Sequence, residues 1–325
     1  MTYRHQHLLE KVQVQLAAVA AVALVYFALW PLLRPSDPFD PLVLLLAGGA
    51  GSTVAFTLTL WMLAALCAVI TISARPEGGL MAAVLGAGGA SLHSAQIRGL
   101  LWSWEGRLSG LYPAMIGELL MLAAMLLAAA LIVDLVRRGV ASIRPGWLHK
   151  HARDHEPDLP APATPRRTLT GFLGLLRKGG RKRRSAADRG RTALRMLGCL
   201  GLGLVASCAV LLLLLRSPDR GQILFAVVAA FLLGGLAAHQ TLPVRHSFVV
   251  WAVPILAGVG FYLLAGVTAP ADATRWSELP YYARILPIDW LTAGCGGSLV
   301  GYWSSERIND IRHIERKQQE AAAAG

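Results

Sequence analysis

Eight stretches of apolar residues, separated by short polar segments, dominate the chain. A helix needs about 20 mostly apolar residues to cross the ~30 Å hydrocarbon layer of a bilayer. Most of the stretches approach or exceed that length, so the pattern predicts an all-α membrane protein with eight transmembrane helices. The approximate bounds of the stretches are 14–33, 41–74, 79–101, 112–136, 194–215, 221–241, 247–268 and 285–303.

The third stretch is the most polar of the eight, and a re-entrant or interfacial segment is the alternative to a crossing there. If the N-terminus and the middle of the chain lie on the same side, an even number of crossings must separate them. The third stretch must then cross as well, and its polar residues make it the candidate for a helix that faces a lumen. These residues include His93, Ser94 and Gln96.

Charge places the middle of the chain on the cytoplasmic side. Residues 137–195 hold 16 Lys/Arg and 4 Asp/Glu, and this surplus of 12 equals the formal net charge of the whole chain, +12. Basic residues near membrane helices stay in the cytoplasm. A content of 55% hydrophobic and 15% charged residues also excludes an ordinary soluble protein. We therefore predict an integral protein of a bacterial cytoplasmic membrane with both termini cytoplasmic.

The two apolar halves share landmarks in the same order, which predicts a 4+4 pseudo-repeat. Thr71 is followed four residues later by an arginine, as is Thr241, and the acids Glu118 and Asp289 each follow a proline near the start of the fourth stretch of their half. Parallel repeats of this kind are related by an axis along the membrane normal. The predicted parts are a first four-helix half at 1–136, a basic cytoplasmic loop at 137–193, a second half at 194–304 and a tail at 305–325.

Inside the basic loop, residues 168–178 have the spacing of a short amphipathic helix. Such a helix, flanked by basic residues, is expected to lie on the anionic lipids of the inner leaflet. A flexible, solvated linker whose charges only set the topology is the alternative. Nucleic-acid binding is not expected, because no folded module accompanies the basic run. The apolar face comprises Leu169, Phe172, Leu173 and Leu176, and the basic cluster comprises Arg181, Lys182, Arg183 and Arg184.

Ionisable side chains within lipid are costly, so each one is a functional candidate. Glu118 and Asp289 both fall on the outer side, with Arg98 and Arg284 as their candidate partners. They either line an outward vestibule or anchor helix ends. His93 and His239 lie at different depths, so we do not expect them to share a haem, and we expect each to hydrogen-bond to a neighbouring helix.

The sequence contains no motif of an intramembrane enzyme, and we predict no catalytic residue, metal or cofactor. The four cysteines have no metal-ligand spacing and are expected to be packing residues. Two hypotheses about function remain open. The first is movement of a small solute or ion along a path between the halves. The second is a non-catalytic structural or assembly subunit of a membrane complex, which includes a possible homo-oligomer.

Overall fold

In the computed structural model, every regular element among the described residues is a helix, with no strand among them. It describes residues 3–35, 40–44, 46, 49–72, 74, 76–95, 97–104, 108–143, 186–244, 246–269 and 278–324. The helices are α1 (Tyr3–Ala23), α2 (Gly49–Ile70), α3 (Pro76–His93), α4 (Arg98–Ser103), α5 (Leu108–Ile143), α6 (Ala186–Leu214), α7 (Arg220–Thr241), α8 (Phe248–Thr268) and α9 (Cys295–Ala324).

Two of these helices are extended by π-helical segments. α1 continues through the π-helix Leu24–Leu29 and a last α-helical turn, Trp30–Leu33. α9 is preceded by the turn Pro287–Asp289 and the π-helix Trp290–Gly294. Single-turn π-segments inside helices occur frequently at functional sites. Both segments contact the C-terminal half of α3, as the site below shows.

Six helices are long and apolar enough to cross a membrane, which indicates a polytopic integral membrane protein. Large apolar side chains on their outer faces are exposed, among them Phe27, Val205 and Val267, as expected where lipid is the solvent. The six candidate spans are Glu10–Leu33, Gly49–Ile70, Gly110–Val140, Gly190–Leu214, Arg220–Thr241 and Phe248–Thr268.

Some boundaries differ from those that hydrophobicity predicts. Residues 41–44 are not helical although they are apolar, and α2 begins only at Gly49, whose φ of +69° favours glycine. Leu42, Val43 and Leu44 are nevertheless buried, because this segment lies inside the bundle. At the other end of the half, α5 extends to Ile143 and α6 begins at Ala186, so both helices enter the predicted loop.

The two predicted crossings that are not among the candidate spans are the most enclosed helices. Among the described side chains of α3, only Leu92 is an exposed large hydrophobic residue, and none occurs between Pro287 and Tyr302. α3 packs against α1, α2, α5 and α9, while the start of α9 packs against α3, α5, α7 and α8. Because neighbouring helices shield them from lipid, these two helices can carry glycines and polar residues.

Helices that have one other long helix between them in the chain run side by side in the same direction. In each pair, residues later in one helix contact residues later in the other. The pairs α1 and α3, α2 and α5, α6 and α8, and α7 and α9 are therefore parallel. The contacts are Val14–Gly78 and Ala21–Gly86 in the first pair, Trp61–Met125 and Thr71–Arg137 in the second, and Val228–Gly297 and Leu232–Gly301 in the fourth. In the third pair Gly203 lies next to Val253, and Cys199 and Val249 belong to one buried cluster.

The two halves meet along a seam formed by two antiparallel helix pairs, α3 with α9 and α5 with α8. Glycines bring the helices close together along this seam. A Cβ atom on Gly296 would lie 2.7 Å from a terminal methyl of Leu85, and one on Gly258 would lie 2.7 Å from a terminal methyl of Leu119. Since those distances are shorter than van der Waals contact, a larger residue at either position would displace a leucine side chain across the seam.

Candidate functional site

Six polar side chains meet at the end of the bundle where α3 finishes, and we call this set the polar layer. α3 supplies three of them from its C-terminal turns, which places them on faces toward different neighbours. α5, α7 and the turn before α9 supply one each. The polar layer comprises Ser91, His93, Ser94, Glu118, Arg220 and Asp289.

Asp289 is the most heavily bonded member of the polar layer. Its carboxylate is fully buried and receives both terminal nitrogens of Arg220, one on each oxygen. The hydroxyl of Ser91 donates to Oδ1 at 2.5 Å, and the backbone N–H of Leu286 donates to Oδ2 at 3.0 Å. Arg220 Nη2 also donates to the Ser91 carbonyl at 3.1 Å. The acid therefore ties α3, α7 and α9 together across the seam.

The arginine that pairs with Asp289 differs from the one expected. Arg284, only five residues away in the chain, instead donates to the carbonyl of Leu279 at 2.6 and 3.1 Å and lies 4.7 Å from the Tyr281 ring centroid. It occupies a 3₁₀ turn before Pro287. Arg220 is available because it begins α7, which runs parallel to the start of α9. Burial lowers the pKa of Arg284 from its ordinary value, although nearby tyrosines oppose this change.

Glu118 holds a non-helical segment inside the bundle. Its side chain is fully buried, and Oε1 accepts the backbone N–H of Leu44 at 2.9 Å. Two residues earlier, the N–H of Leu42 donates to Ser94 Oγ at 2.8 Å, and the Thr53 hydroxyl donates to the Leu44 carbonyl at 3.1 Å. Non-helical backbone at membrane depth is tolerated only where its polar groups are satisfied by protein or water. These side chains provide that satisfaction.

His93 binds the π-helical segment of α1. Its Nε2 lies 2.9 Å from the carbonyl oxygen of Tyr26. The imidazole also stacks between the Tyr26 and Trp30 rings, with centroid distances of 3.9 and 4.6 Å. A π-segment disturbs the regular i to i−4 ladder, so a side-chain partner for a carbonyl there is favourable. His93 therefore contacts a neighbouring helix.

The opposite end of the bundle contains a second set of polar contacts between parallel helices. Arg137 donates to the carbonyls of Thr71, Ile72 and Ala74 at 2.6–3.2 Å and thereby caps the C-terminus of α2. The buried carboxylates of Glu77 and Asp134 lie close enough to Arg137 to stabilise its charge.

His239 makes the corresponding contact in the second half. Its Nδ1 lies 2.7 Å from Ser305 Oγ and its Nε2 lies 3.1 Å from the Val244 carbonyl. Because a carbonyl only accepts, Nε2 carries a proton in this arrangement. Gln240 adds a bond to the carbonyl of Ser305 at 2.9 Å. α7 and α9 are thus joined at both ends.

The structure brings together part of the predicted site. Glu118, His93, Ser94 and Asp289 share the polar layer, whereas His239 lies at the opposite end. Gln96, the side chain of Arg98, and the whole predicted surface helix with its basic cluster lie outside the described residues.

Two members of the polar layer were not predicted as site residues, Ser91 and Arg220, and neither was Arg137 at the opposite end. Arg220 borders an apolar stretch, which is the sequence signal that could have identified it, because charged residues at a membrane boundary often reach back to a buried partner. For Ser91 the sequence showed only that it is one of several polar residues in the third stretch.

Among the described residues, no group of three or more His, Cys, Asp or Glu side chains is arranged to hold a metal ion. All four cysteines are free thiols, and three of them are buried. Comparisons with protein-family models, with curated proteins and with solved structures found no match. The chemistry of the chain must therefore be argued from its own residues.

Proposed function

We propose that the chain crosses the membrane eight times, in two four-helix halves, with α3 and the start of α9 as the third and eighth crossings. α3 accompanies α1 from Val14 to Tyr26 and then reaches Trp30 through His93. The segment from Asp289 to Ser305 accompanies α7 from Arg220 to His239. Since α1 and α7 are candidate spans, a helix that follows either of them along this length passes through the same thickness.

The pattern of neighbours supports a two-fold relation between the halves. In both halves the first crossing is parallel to the third and the second to the fourth. The seam pairs the third crossing of one half with the fourth of the other, as α3 with α9 and α8 with α5. A two-fold axis along the membrane normal would exchange the two halves. It would move the pair of α3 and α9 onto the pair of α8 and α5.

The positions of the two buried acids follow the same relation. Glu118 and Asp289 both lie near the start of the fourth crossing of their half. Each bonds to the chain at the beginning of the second crossing, Glu118 to the Leu44 amide and Asp289 to Arg220. At the opposite end, α5 reaches α2 through Arg137, and α9 reaches α7 through Ser305. The predicted duplication is thus supported by contacts as well as by landmarks.

A parity experiment tests the four crossings of the second half. In a C208A background, single cysteines at residues 180 and 318 should react with a membrane-impermeant maleimide from the same side, because four crossings would separate them. A cysteine at Ser217, in the turn between α6 and α7, should react from the other side. If only the six candidate spans crossed, three crossings would separate residues 180 and 318. Labelling of those two cysteines from opposite sides would refute the proposal.

For the function itself, we propose a non-catalytic structural or assembly subunit of a membrane complex. The observation that supports this role is the use of polar groups within the bundle. Each predicted pathway residue whose side-chain contacts are described bonds to a neighbouring helix, loop or turn of this chain. The seam itself is packed through glycine, for example at Gly258 and Gly296. An arrangement of this kind stabilises one set of helix positions.

Reconstitution tests this role. Purified protein in liposomes should leave proton and small-solute gradients as stable as they are in empty liposomes, measured with a pH-sensitive dye and by light scattering after an osmotic step. In the native membrane, Glu118→Ala should lower the amount of the chain and of any complex that contains it in equal proportion on a native gel. A specific flux that Glu118→Ala abolishes at unchanged abundance would instead support transport.

Transport remains the second candidate because the contacts at one end of the seam are partly exposed. The hydrogen bonds that Asp289 and Arg220 make with Ser91 of α3 cross the seam, and Arg220 is 14% exposed while Asp289 is fully buried. A bond between halves that is reachable from one surface would have to break if a path opened there. Under this candidate, Asp289→Asn would change the rate of flux in the liposome assay, whereas the structural role predicts no flux in either form.

A further inference from the structure

Two arginines at the beginning of α6 have no partner among the residues that the structure describes. Arg191 and Arg195 lie one helical turn apart on an exposed face. Within the described part of the chain, neither guanidinium makes a hydrogen bond, ion pair or ring contact. Arg137 and Arg220, by contrast, bond to carbonyls or carboxylates. The N–H groups of both guanidinium groups are therefore available to bind a group outside the described part of the chain.

Contacts of the neighbouring residues fix the level of this pair. A Cβ on Gly198 would lie 2.9 Å from Leu242, the residue that follows the end of α7. The candidate span in α7 ends at Thr241. Arg195 lies about one turn before Gly198, so it is close to the boundary of the apolar layer, and Arg191 lies one turn further out.

An exposed leucine lies beside Arg191 on the same side of α6. Leu194 is 72% exposed and lies ~60° around the helix from Arg191. Further along α6, Val205 and Leu212 continue an exposed apolar line away from the boundary, at 70% and 52% exposure. Charge at the boundary followed by apolar surface inward matches the order of groups in a phospholipid, with its phosphate at the boundary and its acyl chains beyond.

We infer that Arg191 and Arg195 form a binding site for the headgroup of an anionic phospholipid. Guanidinium groups present planar forks that match phosphate oxygens, and two of them one turn apart can hold one phosphate from two directions. The acyl chains then lie along Leu194, Val205 and Leu212. A net negative headgroup is favoured because two positive charges face it and no described acid is bonded to either.

This site does not depend on the function proposed above. The eight-crossing arrangement decides only the leaflet, which would be the cytoplasmic one. A test in which anionic lipid is present on both sides is therefore independent of topology. It also separates this site from the predicted surface helix in the central loop, because the two sets of residues can be changed separately.

The experiment measures lipid retention. Wild-type protein and variants are purified in mild detergent, mixed with equal amounts of phosphatidylglycerol and phosphatidylcholine, and examined by native mass spectrometry at increasing collision energy. Wild-type protein should retain phosphatidylglycerol at energies that remove phosphatidylcholine. The variant R191Q/R195Q should lose the most strongly held phosphatidylglycerol, and R191K/R195K should show intermediate retention. A circular dichroism spectrum identical to that of wild type verifies the fold of each variant.

The matched control is R312Q/R316Q. These arginines are also exposed and one turn apart, but they lie on the tail of α9, well past the end of the apolar stretch. Their removal should leave retention unchanged. Equal retention by R191Q/R195Q and wild type would overturn the inference. Equal loss from both double variants would also overturn it, since net charge rather than a site would then account for the binding.

Discussion

Replacing Arg220 with leucine is expected to destabilise the bundle more than any other single change of a polar residue. Asp289 would keep its buried position while losing both guanidinium bonds, and only Ser91 and the Leu286 amide would remain. Removing one member of a buried ion pair typically costs about 3–5 kcal/mol, because the other charge stays without compensation. The free energy of unfolding can be measured by titrating SDS into mild-detergent micelles and following helix content.

Two comparisons isolate the cause. Arg216→Leu removes an exposed arginine four residues earlier, whose Nε donates only to the Leu213 carbonyl, and should change stability by less than about 0.5 kcal/mol. The double variant R220L/D289L removes both charges and should recover much of the loss. The ion pair would not be important to the fold if Arg220→Leu unfolded like Arg216→Leu. The charge argument would also fail if the double variant were no more stable than Arg220→Leu alone.

The sequence predicts helices well where a polar or proline-containing turn bounds an apolar stretch. The predicted stretch 221–241 corresponds to α7 and 247–268 corresponds to α8, almost to the residue. The charged pair before Gly221 and the proline-containing turn after Thr241 mark these ends. In such segments the apolar residues and the helical residues coincide, because the whole helix contacts lipid or other helices.

The second stretch, 41–74, shows where this equivalence ends. Leu42, Val43 and Leu44 are apolar because protein surrounds them, although their backbone is not helical. Hydrophobicity measures burial and does not report backbone conformation. The bonds that make burial possible, from Ser94 and Glu118, join residues 52 and 74 positions apart. A backbone N–H partner leaves no mark in the sequence, so this arrangement could not be predicted from it.

The partner of Asp289 shows a related limit. Sequence analysis favours Arg284 because it is near in the chain, yet the structure selects Arg220, 69 residues away. The choice depends on α7 and α9 being parallel and in register, which is decided by close glycine contacts along both helices. Position along the membrane normal, rather than separation in the chain, determines which charges can meet. The predicted depth of Asp289 is therefore more informative than its predicted partner.

Those glycine contacts lead to the second large expected effect. A Cβ on Gly301 would lie 2.3 Å from the carbonyl oxygen of Leu232 and 2.8 Å from the Leu236 nitrogen, so alanine there would force α7 and α9 apart. Overpacking of this kind costs about 1–3 kcal/mol per site. Gly297, at 2.6 Å from the Val228 carbonyl, should respond alike, and the double variant G297A/G301A should lose more than either single variant.

The control for this prediction has the opposite expected sign. Gly117 is an exposed glycine within α5, and a Cβ there would meet nothing within 4 Å. Alanine has the higher helix propensity, so Gly117→Ala should leave stability unchanged or raise it by up to about 1 kcal/mol. SDS titration of the Gly117→Ala and Gly301→Ala variants measures both effects under one condition. If the two substitutions shifted stability in the same direction and by similar amounts, close approach of α7 and α9 would not determine their register. The Arg220–Asp289 contact would then need another explanation.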